Sequence, residues 1–286
     1  MRYVISHETR LAFPEPVRDH HCELRLAPRS SAVQQVLATA IDVEPAATLR
    51  SYVDSFGNLV HHFDVQAPHD ALVTRLEAQV ETRLDDPFSF APIAPARERA
   101  WLAEELRGHP PLLDFWLHRS PYTPVLDDLP APPLPWPTLV PELGVLGSTQ
   151  QATRWIGEWL RYEPGTTAVD TPLAAAVEQR SGVCQDFAHL LAAIVRSWDV
   201  PARYVVGYLD PGYAAGAQAT HAWTDVLVPG AGWRGFDPVH GLIANDTYVV
   251  VAVGRDYRDA APQRGTFKGA SPGAAPEVHL QVVRDQ

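Results

Sequence analysis

Residues 182–198 read GVCQDFAHLLAAIVRSW, and this stretch decides the fold of the C-terminal half of the chain. Gly182 and Val183 interrupt the preceding pattern, and from Cys184 onward apolar residues recur with helical spacing over a broad face. We therefore predict a buried helix that begins at or near Cys184. Its sulfur would lie beside backbone N–H groups that have no acceptor within the helix.

Cys184 has two possible interpretations. A lone cysteine beside an apolar helix face is commonly just a small buried residue. At the N-terminus of a helix, however, the dipole favours the thiolate, which is the nucleophilic form of the side chain. The residues that follow in the chain favour the second interpretation.

Strands are predicted after this helix, because the apolar pattern changes from helical spacing to runs and alternation. The predicted segments are ARYVVGYL at 202–209, HAWTDVLV at 221–228, WRGFD at 233–237, TYVVVAV at 247–253 and EVHLQVV at 277–283. Two further helices are predicted before Cys184, one capped by Ser148 and one capped by Thr171 with Pro172 in its first turn. Helices followed by strands indicate an α+β domain with the Cys184 helix packed on an antiparallel sheet.

His221 and Asp237 follow Cys184 on two of these strands. A thiol nucleophile needs an imidazole to take up its proton and return it to the leaving group, and a carboxylate to orient that imidazole. Cys184, His221 and Asp237 are therefore the candidate nucleophile, base and orienting carboxylate.

The loop between the two strands decides whether His221 and Asp237 share a face of the sheet. A two-residue loop at Gly230-Ala231 would put Asp237 on the opposite face, whereas a three-residue loop that also includes Pro229 would put both on one face. We predict an odd-length loop or a bulge here. Trp223 alternates with His221 and could lie against substrate, beneath the imidazole or in the core.

Other polar residues near Cys184 have simpler interpretations. Asp186 in the first turn of the helix is predicted to cap it, and His189 is predicted to be a packing residue. Cys184, His189 and the other histidines lack the spacing of a closed zinc site, and no HExxH motif occurs. We therefore expect neither a metal nor another cofactor.

The composition indicates which classes of binding partner and which cellular compartment to expect. The 286 residues carry a formal net charge of −11 without a cluster of lysine or arginine, so nucleic acid is not expected as a partner. No apolar run has the length of a membrane span, and no leader-like segment opens the sequence, so no membrane association is expected. Two cysteines, Cys22 and Cys184, fit a reducing compartment, and we expect a cytoplasmic protein. Composition leaves the oligomeric state open.

The remainder of the chain divides by composition. Short strand-like segments fill the first 66 residues, with a hairpin turn predicted at Ser55–Asn58. Between Pro87 and Pro141 lie 13 of the 27 prolines, together with a helix predicted near Pro95–Leu117. We predict an N-terminal β-rich domain at 1–86, a proline-rich connecting region at 87–147 and a catalytic domain at 148–286. The histidine pairs at 20–21 and 61–62 are expected at solvated or edge positions.

Four motifs in order resemble those of the bacterial transglutaminase-like proteins, which are related to cysteine peptidases of papain-like architecture. The nucleophile helix of that family is similar to GVCQDFAHLLAAIVR, its histidine strand to HAWTDV and its aspartate strand to GWRGFDP. PARYVVGY resembles the strand between helix and histidine, and GRDY at 254–257 fits the C-terminal part. The resemblance covers Ser148 to the end of the sequence, and the N-terminal part resembles the β domain that precedes this core in bacterial members.

The resemblance implies an α+β fold with an N-terminal antiparallel β-sandwich-like domain and a papain-like transglutaminase core. It implies that Cys184 attacks an amide carbonyl of a peptide or protein, with His221 and Asp237 in the roles given above. Two departures affect substrate contacts: Asp225 stands where the family has Glu, and Val239-His240 replaces the usual Thr after Asp237-Pro238. Hydrolysis is favoured over amine transfer because water is always available. The alternative is a non-catalytic binding or scaffolding module that retains the fold.

Overall fold

The computed structural model describes residues 1–210, 212, 220–270 and 275–285. Its N-terminal part is antiparallel and consists of β1 (Arg2–Leu24), β2 (Gln34–Glu44), β3 (Arg50–Val53), β4 (Leu59–Val65) and β5 (His69–Thr82). β1 lies at the centre and changes partners along its length, pairing with β5 through its first half and with β4 through its second. The irregular pairing in the middle of β1 lets this sheet curl. The hairpin predicted at Ser55–Asn58 is confirmed, since β3 pairs with β4 across it.

Helices dominate the next part of the chain. They are α1 (Pro95–Gly108), α2 (Leu112–Leu117), a 3₁₀ turn (Leu126–Asp128), α3 (Gly144–Trp159), α4 (Leu173–Gln179) and α5 (Cys184–Arg196). Two short parallel strands, β6 (Arg161–Tyr162) and β7 (Ser181–Gly182), pair just before α5. The prediction that a helix begins at Cys184 is confirmed, and the helix predicted near Pro95–Leu117 is present as α1 and α2.

The predicted cap at Ser148 is wrong, because α3 begins at Gly144 and Ser148 lies buried inside the helix. Gly144 has a φ of +63°, and the Val145 N–H donates to the Glu98 carboxylate at 2.7 Å. A side chain of α1 thus accepts the hydrogen bond of a backbone N–H at the N-terminus of α3. Thr171 makes no cap bond to α4 either, since Pro172 holds the cap position.

A second antiparallel sheet follows α5. It consists of β8 (Ala202–Leu209), β9 (His221–Val228), β10 (Gly232–Asp237), β11 (Leu242–Ile243) and β12 (Tyr248–Gly254), in the order β11-β10-β9-β8-β12, and is followed by α6 (Tyr257–Ala260). Leu190 and Ile194 of α5 pack against Val226 and Phe236 of this sheet in one buried core. The predicted α+β core with its helix on an antiparallel sheet is confirmed.

The last strands join the first sheet. β13 (Gln263–Lys268) and β14 (Glu277–Asp285) both pair antiparallel with β1, so that, within the described residues, seven strands form this sheet. The strand at 277–283 was predicted and the strand at 263–268 was not; both lie in the range predicted as the catalytic domain, whereas their hydrogen-bonding partner is N-terminal. The curled sheet also packs on the second sheet, because Tyr3 and Ile5 share a core with Tyr204 and Val249. The boundaries at 86/87 and 147/148 stay predictions.

The fold also determines which cysteine and histidine side chains are exposed to solvent. Cys22 and Cys184 are both free thiols, Cys22 buried and Cys184 half-buried. The expectation of solvated histidines is wrong for His20, which is buried and has its Nδ1 within 3.2 Å of His69 Nε2. His20 pairs with Val65 of β4, and β13 pairs with the adjacent His21 on the other side, so His20 does not lie at a sheet edge. Among the described helices, none combines the length and apolar character that a membrane span requires.

Candidate active site

Cys184 occupies the first position of α5. The turn before it is fixed by Asp186, whose Oδ2 accepts hydrogen bonds from the Val183 N–H at 2.8 Å and from the Thr167 hydroxyl at 2.6 Å. A Cβ atom at Gly182 would lie 2.6 Å from the same carboxylate oxygen, so only glycine fits there. The predicted capping role of Asp186 is confirmed, and the Cys184 sulfur is held at the positive end of the helix.

The register of β9 and β10 determines which face carries Asp237. Val228 pairs with Gly232, which leaves the three-residue loop at 229–231. This is the odd-length loop that the sequence analysis predicted. His221 and Asp237 consequently share one face, and His221 Nε2 lies 2.8 Å from Asp237 Oδ2.

His221 connects the carboxylate to the thiol. Its Nε2 is occupied by Asp237, so the remaining ring nitrogen, Nδ1, is the one available to Cys184. Burial disfavours a charged imidazole, but the hydrogen bonds to Asp237 and Cys184 outweigh it and raise the pKa of His221 to about 10. The three residues selected from sequence thus form one connected chain of side chains.

Asp237 is fully buried and accepts several hydrogen bonds. Its Oδ2 accepts from His221, from His240 Nδ1 at 2.7 Å and from the Tyr248 hydroxyl at 2.9 Å, while its Oδ1 accepts from the Val239 N–H at 3.0 Å. Burial alone would raise the pKa of Asp237, but the hydrogen bonds from the two imidazoles hold it well below its usual range. The carboxylate is therefore ionised and directed at His221.

Trp223 lies beneath the imidazole. Its ring stacks on His221 at a centroid distance of 6.2 Å and an interplanar angle of 25°, and it has no exposed surface. Trp223 Nε1 donates to Asp225 Oδ1 at 3.2 Å, and Arg203 pairs with Asp225 Oδ2 at 2.8 Å. The ring lies next to the imidazole and is also part of a buried core, so two of the three positions left open for Trp223 are observed.

Tyr162 borders the site. It lies on β6, which pairs with β7 directly before Cys184, and its side chain is half exposed. Burial raises the pKa of Tyr162, and the nearby negative charges of Cys184 and Asp237 raise it further. This tyrosine is therefore a partly exposed neighbour of Cys184 and Asp237.

His221, Asp237 and His240 have ligand atoms within 4.8 Å of one another and are, among the described residues, a group that could hold a metal ion. Their atoms are already joined by hydrogen bonds of 2.7 and 2.8 Å, so a metal ion would have to break both bonds. His189, considered from sequence as a ligand, is buried between Tyr122 and Tyr204 and accepts from the Tyr257 N–H, which confirms it as a packing residue. The expectation that no metal or cofactor takes part stays a prediction.

Sequence reasoning missed the roles of His240, Tyr248 and Tyr162. His240 was noted only as a departure from the family pattern, although a polar residue three positions after Asp237 can turn back onto its carboxylate. Tyr248 opens β12, and its alternation marks a buried face without showing which side chain lies opposite. Tyr162 reaches the site through a strand pair too short to have a sequence pattern.

Comparison with known proteins supports the same assignment of the fold. Residues 3–81 match the bacterial transglutaminase-like N-terminal region, and residues 142–238 match the transglutaminase-like superfamily. The chain belongs to the transglutaminase-like superfamily. Cys184, His221 and Asp237 all fall inside the second matched region of this transglutaminase-like protein.

Relatives match the transglutaminase-like chain over nearly its whole length. It is 33% identical to the uncharacterized protein ML0607 of Mycobacterium leprae over 273 residues, which is 94% of each chain. It is 32% identical to the uncharacterized protein Rv2569c of Mycobacterium tuberculosis over 298 residues, covering 99% of this chain and 92% of the relative. A solved structure from Cytophaga hutchinsonii, described as a candidate cysteine protease, aligns with a TM-score of 0.66 and 18% identity over all of this chain and 92% of that one, which shows the same fold.

Proposed function

We propose that this protein is a cysteine-nucleophile enzyme that forms a thioester with an amide substrate, with Cys184 as nucleophile, His221 as general base and acid, and Asp237 as orienting carboxylate. The observation that carries the proposal is a buried His221 that is hydrogen-bonded to Asp237 and interacts with the Cys184 sulfur at the start of α5. This arrangement contains each group that thiol acyl transfer needs.

Thioester formation begins when His221 takes up the proton of the Cys184 thiol and the resulting thiolate attacks the carbonyl carbon of the amide. The carbon–nitrogen bond then breaks, the His221 imidazolium gives its proton to the leaving amine, and a sulfur–carbon bond links the acyl group to Cys184. In the second half, water or an amine attacks the thioester, His221 takes up a proton from it, and the carbon–sulfur bond breaks to restore the thiolate. We propose that the Cys184 backbone N–H, which has no acceptor inside the helix, stabilises the oxyanion in both halves.

The substrate is proposed to be a peptide or protein amide, including the glutamine type, with water favoured as acceptor. An amine acceptor needs a site that binds it and limits the entry of water. The proposal includes no nucleic acid, no membrane and no cofactor. A cytoplasmic location is part of the proposal and rests on the two free thiols, which fit a reducing compartment.

Alkylation by iodoacetamide near neutral pH tests the nucleophile without a known substrate. We expect rapid labelling of Cys184 and a rate at least about tenfold lower in His221→Ala, since an ordinary thiol is only about 3% ionised at pH 7. Peptide mass spectrometry after timed quenching gives the rate at each cysteine.

Cys22 serves as an internal control in the same experiment. It is fully buried, and burial raises the pKa of its thiol to about 12, so it should remain unlabelled until the protein unfolds. Slow labelling of Cys184 that does not depend on His221 would contradict the proposal and favour the scaffolding module.

Mass spectrometry of the protein incubated with peptide and amine libraries identifies the reaction. Wild-type protein is expected to release hydrolysed or amine-linked products, and Cys184→Ala is expected to release none. The ratio of the two products gives the acceptor. Equal product formation by both proteins would exclude covalent catalysis at this thiol.

The pH dependence follows from the raised pKa of His221. Because this pKa lies near 10 in the folded protein and near 6.5 otherwise, the imidazolium stabilises the fold fully below about pH 6.5, and that contribution is lost as the pH rises through about 10.

The rate of thioester formation should also decline as the pH rises through about 10, since the leaving amine needs the proton of His221. Single-turnover rates between pH 6 and 11 measure this, and a decline centred near 7 would contradict it.

His240 is expected to raise kcat/KM by holding the Asp237 carboxylate, without acting as the base in place of His221. Replacing His240 by alanine removes one of three donors to Asp237 Oδ2, and loss of a charge-assisted hydrogen bond of about 1.5 kcal/mol predicts a roughly tenfold lower kcat/KM. Tyr248→Phe removes another donor to the same oxygen and provides the comparison. A loss in His240→Ala as large as that in His221→Ala would instead make His240 the base.

A further inference from the structure

A cavity of about 460 Å³ lies between the two sheets, behind the residues that support the triad. Arg29 and Gln34 line it from the N-terminal part, and Arg203, Trp223 and Tyr248 line it from the second sheet. Cys184 and His221 are not among the described residues that line it. This cavity is therefore separate from the site where acyl transfer is proposed, although Trp223 and Tyr248 belong to the surroundings of both.

The walls of this cavity carry excess positive charge. Three arginines line it, Arg29, Arg203 and Arg234, whereas Asp225 is the one carboxylate among its described lining residues. Asp225 is already used by Arg203, which donates to it through Nε at 3.0 Å and Nη2 at 2.8 Å. Arg29 and Arg234 consequently have no carboxylate partner among the described lining residues.

Of the three arginines, Arg29 has, within the described part of the chain, neither a carboxylate partner nor an acceptor for two of its nitrogens. Its Nη1 donates to the Phe56 carbonyl and to Asn58 Oδ1, both at 3.2 Å, which leaves its Nε and Nη2 without an acceptor among the described residues. Burial lowers the pKa of Arg29, and the positive charge of Arg203 lowers it further, against the attraction of Asp225 and of Asp54. Asp54 itself pairs with Arg25, so it does not neutralise the cavity.

Arg203 is oriented by its surroundings. Its guanidinium lies over the Trp233 ring, 4.3 Å from the centroid, and is fixed from the other side by Asp225. Its Nη1 has no acceptor among the described residues. A rigid, planar guanidinium with a free edge is well suited to bind an oxyanion, because its N–H groups match the oxygen spacing of carboxylates and phosphates.

We propose that this cavity binds a small oxyanion, a carboxylate or a phosphate, between Arg29 and Arg203. Such a ligand would supply the missing negative charge and accept the hydrogen bonds that Arg29 Nε and Nη2 and Arg203 Nη1 leave unused. The partly buried Trp233 would flank any apolar part attached to it. The volume admits a molecule of metabolite size.

Binding can be measured independently of catalysis in the full-length Cys184→Ala protein. Isothermal titration with inorganic phosphate and with succinate, at ionic strength held constant with sodium chloride, is expected to show one saturable site for at least one of the two anions. Which anion binds more tightly distinguishes a phosphate ligand from a carboxylate ligand. Absence of saturable binding by both would overturn the proposal.

Charge-neutralising variants locate the site. Arg29→Gln is expected to weaken anion binding at least about tenfold, since each charge-assisted bidentate contact is strong. Arg154→Gln, an exposed arginine of α3, removes the same charge outside the cavity and should leave binding unchanged. Equal effects of the two variants, or no effect of Arg29→Gln, would show that binding is nonspecific or lies elsewhere.

If Arg29→Gln does not fold, thermal unfolding of the Cys184→Ala protein tests anion binding instead. The anion that binds should raise the melting temperature of the Cys184→Ala protein more than chloride does at equal ionic strength. An equal rise with chloride would overturn the proposal. The test contains no catalytic step, so its failure leaves the proposed acyl transfer untouched, and its success does not depend on that reaction.

Discussion

Replacing Asp237 by asparagine is expected to lower kcat about 10³–10⁴-fold, as isosteric loss of the orienting carboxylate does in other nucleophile–histidine–carboxylate sites. An amide at this position would present an N–H or a neutral carbonyl to His221 Nε2, so the tautomer that leaves Nδ1 available for Cys184 is no longer enforced. The imidazolium would also lose its buried negative partner. Single-turnover kinetics with an amide substrate from the library screen measures the loss.

Asp225→Asn is the matched control for this variant. Asp225 is also a buried carboxylate of the second sheet, and its partners are Arg203 and Trp223 rather than the triad. The iodoacetamide rate at Cys184 should fall in Asp237→Asn and change little in Asp225→Asn. A kcat reduced less than about tenfold by Asp237→Asn would contradict the assigned role of the carboxylate.

Replacing Arg196 by alanine is expected to cost about 3–5 kcal/mol of unfolding free energy, because a fully buried charged group with several hydrogen bonds is removed. Arg196 has 1% of its surface exposed and donates to the backbone carbonyls of Phe115, His118, Ala202 and Arg255, and to the Thr123 hydroxyl. It ties the C-terminal end of α5 to the connecting region and to the sheet. Its loss leaves buried carbonyl groups without donors.

Denaturant unfolding of Arg196→Ala and of the exposed control Arg154→Ala measures this cost. The C-terminal end of α5 lies about 20 Å from Cys184 at 1.5 Å per residue, so the folded fraction of Arg196→Ala should still react with iodoacetamide at the wild-type rate. A cost below about 1 kcal/mol would show that water replaces the side chain without penalty.

The part of the site that could be predicted from sequence is the part governed by local spacing. The start of α5 follows from Gly182 and from the apolar period after Cys184, and the shared face of His221 and Asp237 follows from the parity of one loop. Both depend on residues close together in the chain. Helix and strand periods therefore predict the α+β core and its central chain of side chains.

The remainder depends on residues far apart in sequence. The N-terminus of α3 is satisfied by Glu98, which lies 47 residues before Val145, so no local cap signal marks Gly144 as the start of the helix. The strand pattern of 277–283 predicts a strand but not its partner, since pairing is chosen by the packing of whole sheets. His240 and Tyr248 reach Asp237 only after β10, β11 and β12 are assembled.

β1 obtains its neighbours from opposite ends of the described chain. Its first half is hydrogen-bonded on one side to β5 and on the other to β14, so Tyr3 pairs with both Val80 and Arg284. During synthesis on the ribosome, the curled sheet is incomplete until the segment at 277–285 has emerged, after the Cys184 helix and its sheet. One edge of β1 therefore stays unpaired while translation continues. Pairing between strands so far apart in sequence is slow, and an unpaired edge can meanwhile pair with another chain unless it is protected.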